Sequence, residues 1–433
     1  MKSFLNRRQF LRQSSLGAAG LAIGACATPT ARKLSANDKL NIGIIAVAGR
    51  AAGNIAGVKE ENVVAICDID ANNLAKAAQQ FPKAKQYADF RRLLDQRDLD
   101  AVVVSTPDHC HAVATVAALQ RGLHVYCEKP LTHTVSEARI VSAAARRAGR
   151  ATQMGNQIHA SANYRRVVEL VKSGAIGPVA EAHVWVSAIY GNLTPVEPAS
   201  PPAHVDYDLW IGPQKHRPYR SQYLPFHWRN FWAFGGGTLA DFWCHYSDLA
   251  HWALDLRAPL TVEAEGRERH SEVVPVHMTA RYEYPARPGR PPVKLTWYQG
   301  GAKPDLLAKI LPADQAAKWS SGVLFVGTKG QLLANYGQNL LLPEKEFAGF
   351  TRPKPFIPDS IGHHAEWLLA CKTGSPTTSN FDYGAALTSA GLLGNVAFRV
   401  GKKIEWDAQT LHARNCPEAE QFIQHHYRAG WSI

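Results

Sequence analysis

The feature that most constrains the fold is a series of short, unbroken apolar runs alternating with helical stretches between residues 40 and 155. Residues 42–47, 63–67, 101–105, 123–127 and 151–154 are dense in Val, Ile and Ala and do not alternate apolar with polar. Strands of that kind are buried on both faces, which happens when crossover helices cover a parallel sheet from either side. Residues 72–80 and 112–121 carry helical periodicity between them. The expectation is α/β, a doubly wound parallel sheet whose ligands bind beyond the carboxyl ends of the strands.

After about residue 155 the pattern changes. One more helix, 161–173, is followed by longer alternating stretches at 179–187, 260–268, 276–284, 293–299 and 322–335. Alternation with period two marks a sheet with one wet face. An irregular insert rich in Pro and aromatics, about 190–234, lies between the first two of these strands. The expected division is therefore 1–34 as leader and linker, 35–155 as the parallel-sheet domain, and 156–433 as a C-terminal α+β domain with a large, mostly antiparallel open sheet.

Composition excludes several classes. Of 433 residues, 46% are hydrophobic and 19% charged, too apolar for a disordered chain. No window beyond the N-terminus approaches the roughly 20 uncharged apolar residues of a spanning helix, so a polytopic membrane protein is not expected. The net charge of +12 includes Lys2, Arg7, Arg8 and Arg12, with no acidic residue before Asp38. The remaining excess is spread thinly and the basic clusters are as short as Arg146-Arg147, so no nucleic-acid partner is expected.

Asn6-Arg7-Arg8-Gln9-Phe10-Leu11-Arg12, followed by the mildly apolar stretch 16–25, resembles a twin-arginine export signal. Ala25-Cys26-Ala27 fits cleavage at small residues, while Ile23-Gly24-Ala25-Cys26 resembles a lipobox that would leave Cys26 acylated. The resemblance implies a periplasmic protein, soluble or tethered by lipid at Cys26. The other six cysteines, Cys67, Cys110, Cys127, Cys244, Cys371 and Cys416, include no CxxC pair. They read as small buried hydrophobes, with neither a disulfide framework nor a metal site.

The first strand runs into Ala46-Val47-Ala48-Gly49-Arg50-Ala51. A dinucleotide turn uses G-x-G-x-x-G here, for the tight turn, for close approach of the pyrophosphate and for helix packing. This chain has Ala at all three places, and a methyl at Ala48 would crowd a phosphate unless the turn shifts to use Gly49 and Gly53. Asp68, 22 residues after Ala46, ends the second strand. A carboxylate there accepts from ribose hydroxyls and repels a 2′-phosphate, favouring NAD over NADP. The alternative role for Asp68 is to cap the next helix.

Further on, Ser105-Thr106-Pro107-Asp108-His109 closes the third strand, Cys127-Glu128-Lys129-Pro130-Leu131 the fourth, and Gly155-Asn156-Gln157 the fifth. Gly235-Gly236-Gly237-Thr238-Leu239-Ala240-Asp241-Phe242-Trp243-Cys244-His245 opens a later helix. In this order they resemble the Gfo/Idh/MocA oxidoreductases, sugar and polyol dehydrogenases with an N-terminal Rossmann-type domain. The resemblance covers about 40–401. It implies Lys129, Asp241 and His245 as the catalytic set, with a cis peptide before Pro130. It also implies that Thr106, Pro107, His109, Glu128 and Asn156 join Ala46, Ala48, Gly49, Arg50, Asp68 and Lys129 at the cofactor, and that the chain forms a homo-oligomer. Spacing agrees in part: Asp241 and His245, at i and i+4, share one helix face, where a carboxylate can orient an imidazole for proton exchange. Lys129 beside a cationic nicotinamide is expected to have its charged form disfavoured.

The aromatic insert interleaves Trp228 with His227 and Arg229, which suits a sugar: rings stack on C–H faces, and Arg or His bonds hydroxyls. The activity expected is hydride transfer between a carbohydrate secondary alcohol and a tightly held nicotinamide, since an exported enzyme has no NAD pool to exchange with. Two alternatives remain. One is redox-neutral, NAD-dependent glycoside hydrolysis by oxidation, elimination, hydration and reduction. The other is a non-catalytic carbohydrate-binding relative whose altered glycine turn no longer serves a cofactor.

Overall fold

The computed structural model describes residues 35–433, apart from 36, 268 and 425. The expected leader, including Cys26, lies outside the described residues. The first sheet has six parallel strands, β1 (Asn41–Ile45), β2 (Asn62–Cys67), β3 (Lys85–Tyr87), β4 (Ala101–Val104), β5 (His124–Glu128) and β6 (Thr152–Gly155). Their order is β3-β2-β1-β4-β5-β6. Helices α1 (Ala51–Val58), α2 (Ala71–Gln80), α3 (Asp108–Gln120) and α4 (Val135–Ala148) provide the crossovers. Strand β4 shows why these runs are continuously apolar. Ala101 and Val103 join one core with Leu40, Ile44 and Val58, while Val102 and Val104 join another with Val113, Val116 and Val141. Both faces are covered, as a doubly wound sheet requires.

The reversal of strand order between β1 and β4 opens a crevice at their carboxyl ends. Helix α4 begins with a full capping box, in which the Thr134 side chain accepts from the Glu137 N–H and the Glu137 side chain from the Thr134 N–H. That cap fixes the chain just after the Glu128-Lys129-Pro130 turn, where the Lys129–Pro130 peptide is cis.

The second sheet is mixed, with nine strands: β7 (Val179–Trp185), β8 (Thr261–Gly266), β9 (Met278–Tyr284), β10 (Val293–Tyr298), β11 (Gly322–Gly327), β12 (Gly330–Ala334), β13 (Asn339–Leu342), β14 (Ile404–Asp407) and β15 (His412–Ala413). The order is β13-β12-β11-β7-β10-β9-β8-β14-β15. Only β7 and β10 pair in parallel; the other pairs are antiparallel. Two sequence expectations change. The stretch 322–335 is a hairpin, because the chain reverses between Gly327 and Gly330. Strands β3, β13, β14 and β15 are two to four residues long, too short to carry a legible period.

Helices α5 (Ala162–Lys172), α6 (Gly237–Leu254), α7 (His363–Thr373) and α8 (Phe381–Val400) complete the frame. Helix α8 lies against α4, α6 and β8, so it ties the first sheet's helical layer to the second sheet. Small residues make that approach possible. A Cβ at Gly394 would strike the Tyr282 hydroxyl and the Leu239 side chain, and one at Gly391 would strike the Trp243 ring. Among the described residues no helix is long and apolar enough to cross a membrane, and the six described cysteines are buried and free.

Gly394→Ala is therefore expected to destabilise the fold by about 1–3 kcal/mol through overpacking. Urea unfolding monitored by tryptophan fluorescence measures it, and an unchanged midpoint would contradict the packing described.

Candidate active site

A cleft of about 860 Å³ opens along the carboxyl ends of β1, β2, β4 and β5. Ala46 leaves β1 with φ +67°, in the left-handed region that favours glycine, so the alanine sits where the backbone of a glycine turn would. The shift to Gly49 is also seen. Gly49 has φ +60° and nothing within 4 Å of where a Cβ would stand, leaving open space over the turn. The N–H groups of Ala48, Gly49 and Arg50 donate to no backbone or side-chain acceptor among the described residues, at the amino end of α1. That is an anion cradle.

Asp68 hangs over the same turn. Its carboxylate accepts from the N–H of Val47 (3.0 Å) and of Asp70 (2.9 Å). The cap of α2 is Asp70 instead, accepting from the N–H groups of Asn72 and Asn73, so Asp68 has no capping task. Burial pushes the Asp68 acid up, and the two backbone donors oppose that shift.

Glu128 organises the floor beneath. Its Oε1 accepts from Arg50 Nε (3.0 Å), Asn54 Nδ2 (3.0 Å) and Gln157 Nε2 (2.8 Å). Burial alone would raise the pKa of Glu128, but Arg50, Lys129 and Asn54 outweigh it and hold the group ionised. A Cβ at Gly155 would strike the Glu128 carboxyl at 2.8 Å, so the close approach of β6 to β5 requires glycine there.

At the inner end, Lys129 Nζ donates to Asp241 Oδ1, a contact between the end of β5 and the first turns of α6. The other oxygen of Asp241 accepts from the Tyr190 hydroxyl at 2.8 Å, and Arg229 Nε lies 3.8 Å from Oδ1. Burial pushes the Lys129 ammonium towards neutrality, yet Asp241 and Glu128 reverse the shift and keep it charged. Among the protein's own groups two carboxylates, one of them in direct contact, outweigh desolvation; the opposing charge expected from the sequence is that of a nicotinamide. Burial opposes ionisation of Asp241 too, and Lys129 and Arg229 overcome it. Asp108, in the first turn of α3, shares this end of the cleft. Burial pushes its acid up to about 8, against the pull of Arg229.

Two family models match the chain: an oxidoreductase family NAD-binding Rossmann fold over residues 40–156, and the C-terminal alpha/beta domain of the same family over 165–287. Together they span more than half of the sequence. The chain belongs to the Gfo/Idh/MocA oxidoreductase family. It is 32% identical over 136 residues to an inositol 2-dehydrogenase of Salmonella typhimurium, covering 31% of this chain and 40% of that one. Similarity to a glycosyl hydrolase family 109 protein of Shewanella pealeana is 30% over 205 residues, 40% of this chain and 44% of the relative. The chain thus spans less than half the length of these curated relatives. Among solved structures, the WlbA dehydrogenase of Bordetella pertussis, in complex with NADH and UDP-GlcNAcA, superposes with a TM-score of 0.59 at 18% identity. That match covers 85% of this chain and 99% of the other, and shows a shared fold.

Within this Gfo/Idh/MocA frame the structure sorts the residues singled out from sequence. Ala46, Ala48, Gly49, Arg50, Asp68, Thr106, Pro107, Glu128, Lys129, Trp228, Arg229 and Asp241 all line the cleft. Four others are placed elsewhere. Asn156 is fully buried, donating to Asp248 (3.1 Å) and accepting from the Ser379 hydroxyl (2.7 Å). His109 packs into the aromatic insert, its ring nitrogens 2.8 Å from the Trp210 carbonyl oxygen and 3.4 Å from that of Phe234. His227 is exposed, outside the cleft wall. His245 lies one helical turn beyond Asp241, but both oxygens of Asp241 are taken by Lys129 and Tyr190, so the expected carboxylate–imidazole bond is not formed. Its Nδ1 is buried without a partner among the described residues. Burial, followed by the charge on Lys129, pushes His245 down to about 3, which makes it neutral at pH 7.

Three residues escaped the sequence reading. Tyr190 stood at the edge of an insert with no period. Asp108 lay inside a motif valued for its neighbours. His111 places its ring nitrogens 2.7 Å from the Pro130 carbonyl oxygen and 2.8 Å from that of Thr106, pinning two strand-end turns together. An i+4 offset from Pro107 was the one available signal for His111.

The raised acid of Asp108 has a defined consequence for stability. Below the ordinary carboxylate range the acid is protonated whether the chain is folded or not. From there to about pH 8 only the folded state keeps the proton, so this stabilisation is lost as pH rises to about 8 and is flat beyond. Asp108→Asn removes that component. Thermal melts at pH 5, 7 and 9 should show the variant losing less stability with rising pH than the parent; parallel curves would contradict the burial described.

Proposed function

We propose that the protein is an NAD-dependent oxidoreductase that transfers a hydride between a secondary alcohol of a sugar, polyol or glycoside and a tightly held nicotinamide. The observation that carries this reading is the Lys129–Asp241 contact at the inner end of a cleft whose outer part holds the Ala48–Arg50 N–H cradle and Asp68. The residues fit a dinucleotide: free N–H donors at a helix start suit a pyrophosphate, and the carboxyl of Asp68, 22 positions after Ala46, suits ribose hydroxyls rather than a 2′-phosphate. When bound, the nicotinamide supplies the hydride acceptor or donor.

The chain's own residues do the rest. Oxidation of an alcohol would also release a proton, and because Lys129 is already charged that proton would pass to solvent. A charged Lys129 donates a hydrogen bond to the alcohol oxygen and stabilises the negative charge that develops there. Asp241, held by Tyr190 and Arg229, fixes the direction of Lys129 and offsets the cost of burying it. An intact buried set of this kind favours an enzyme over a purely carbohydrate-binding relative. The likeness to a glycosyl hydrolase family 109 protein supports a second reading, redox-neutral glycoside cleavage through the same hydride transfer. Residues 6–26 support export by the twin-arginine route, with the cofactor carried inside the folded protein and a lipid tether at Cys26.

Acid denaturation of the purified protein is expected to release stoichiometric NAD, read by enzymatic cycling. Release of none, with none bound on addition, would overturn the reading. Lys129→Ala should retain the cofactor and lose about 100-fold or more in turnover with any sugar that reduces it, since removing one preorganised donor costs that order. Incubation with a panel of glycosides separates the two activities: free sugar appearing without net reduced nicotinamide identifies the hydrolytic one.

A further inference from the structure

Arg229 occupies an unusual position in the cleft wall. Its guanidinium carbon lies 4.1 Å from the Trp228 ring centroid and 4.8 Å from that of Phe226, so two aromatic faces hold the group in place. Its side chain is 19% exposed and lines the cleft. Nε lies 3.8 Å from Asp241 Oδ1, beyond hydrogen-bonding distance, and among the described residues the guanidinium donates no hydrogen bond. A planar fork of donors, pre-oriented by stacking and directed at the reacting end of the cleft, has unused capacity for a bidentate acceptor.

Charge at that end is unbalanced. Lys129 and Arg229 both lie against the same oxygen of one carboxylate, Asp241. Asp108, the other acid there, is uncharged at pH 7 because burial raises it, and His245 is neutral for the same reason. His111 is pushed towards its neutral form by burial. The Glu128 carboxylate is paired with Arg50 and accepts from Asn54 and Gln157, so the Glu128–Arg50 pair adds no net charge. The inner cleft therefore carries about one uncompensated positive charge, and it is stacked, partly desolvated and fork-shaped.

We infer that the substrate is a sugar acid, a carbohydrate bearing a carboxylate that pairs with Arg229 beside the alcohol facing Lys129. This rests on the oxidoreductase reading and names its substrate class. A carboxylate matches the planar, two-donor geometry of the guanidinium, and its charge pairs with the excess positive charge beside Asp241. Free uronates, aldonates and uronide glycosides share this chemistry.

The test uses the NAD-loaded protein and isothermal titration with glucuronate, glucose, methyl glucuronide, gluconate and glucose 6-phosphate, in parallel with reduced-nicotinamide absorbance. At least one carboxylate ligand is expected to bind about 10- to 100-fold more tightly than glucose, the range of a charge-assisted pair. Which of them binds best distinguishes the free acid, the glycoside and the open chain. In Arg229→Gln that preference should collapse towards unity, and in Arg229→Lys it should be partly retained. Tryptophan fluorescence and the melting temperature confirm that each variant is folded. Equal binding of glucose and every carboxylate, tighter binding of glucose 6-phosphate, a preference unchanged in Arg229→Gln, or no binding at all would each overturn the inference. If glucose reduces the cofactor while carboxylates bind no better, the inference fails and the oxidoreductase reading stands. If a carboxylate binds through Arg229 but no nicotinamide is held or reduced, the reading fails and the carboxylate site stands.

Discussion

The contact between Lys129 and Asp241 is the constraint on which the site depends. It joins the carboxyl end of β5 to the opening turns of α6, elements separated by more than a hundred residues. Burying two charges is costly, and the cost is recovered only when each is satisfied by further partners. Asp241 meets that condition with Tyr190 and Arg229 as well as Lys129, while Glu128 adds a second negative charge near the ammonium. Removing Asp241 would thus leave Lys129 without its nearest counter-charge and Tyr190 without its acceptor. Specificity, orientation and electrostatics at the inner cleft all pass through this one carboxylate.

The outer cleft shows how a chain can depart from a motif and keep the geometry. Ala46 adopts the left-handed backbone that glycine would take without strain, at a cost of about 1–2 kcal/mol. The departure is local. Gly49 carries the next left-handed turn, and the open space above it is preserved. Beneath, Glu128 ties Arg50 and Asn54 of the cradle to Gln157 beyond β6, and His364 Nε2 lies 3.0 Å from Asn54 Oδ1. The turn rests on a hydrogen-bonded floor that spans two strands and two helices.

Much of the architecture was legible in the sequence because periodicity reports burial. The continuous apolar runs of β1, β2, β4 and β5 could belong only to a sheet covered on both faces, and the alternation in β9 to a sheet with one wet face. Asp68 was legible from the end of its strand, whereas Thr106, Glu128 and Lys129 were singled out by the family resemblance; all four line the cleft. What sequence spacing could not reveal was competition for partners. Asp241 and His245 share a helix face as expected, yet Asp241 spends its two oxygens on Lys129 and Tyr190. Asn156 follows a strand end like the others but turns inward to Asp248. Neighbouring histidines separated in the same way: His109 packs under the insert, whereas His111, two residues on, braces the turns that carry Thr106 and Pro130.

A crystal structure of the protein with bound NAD tests the account most directly. The pyrophosphate is expected on the N–H groups of Ala48–Arg50, the adenosine ribose within hydrogen-bonding distance of Asp68, and the nicotinamide ring over the Lys129–Asp241 pair. A dinucleotide lying elsewhere, or one whose nicotinamide end is turned away from Lys129, would contradict it.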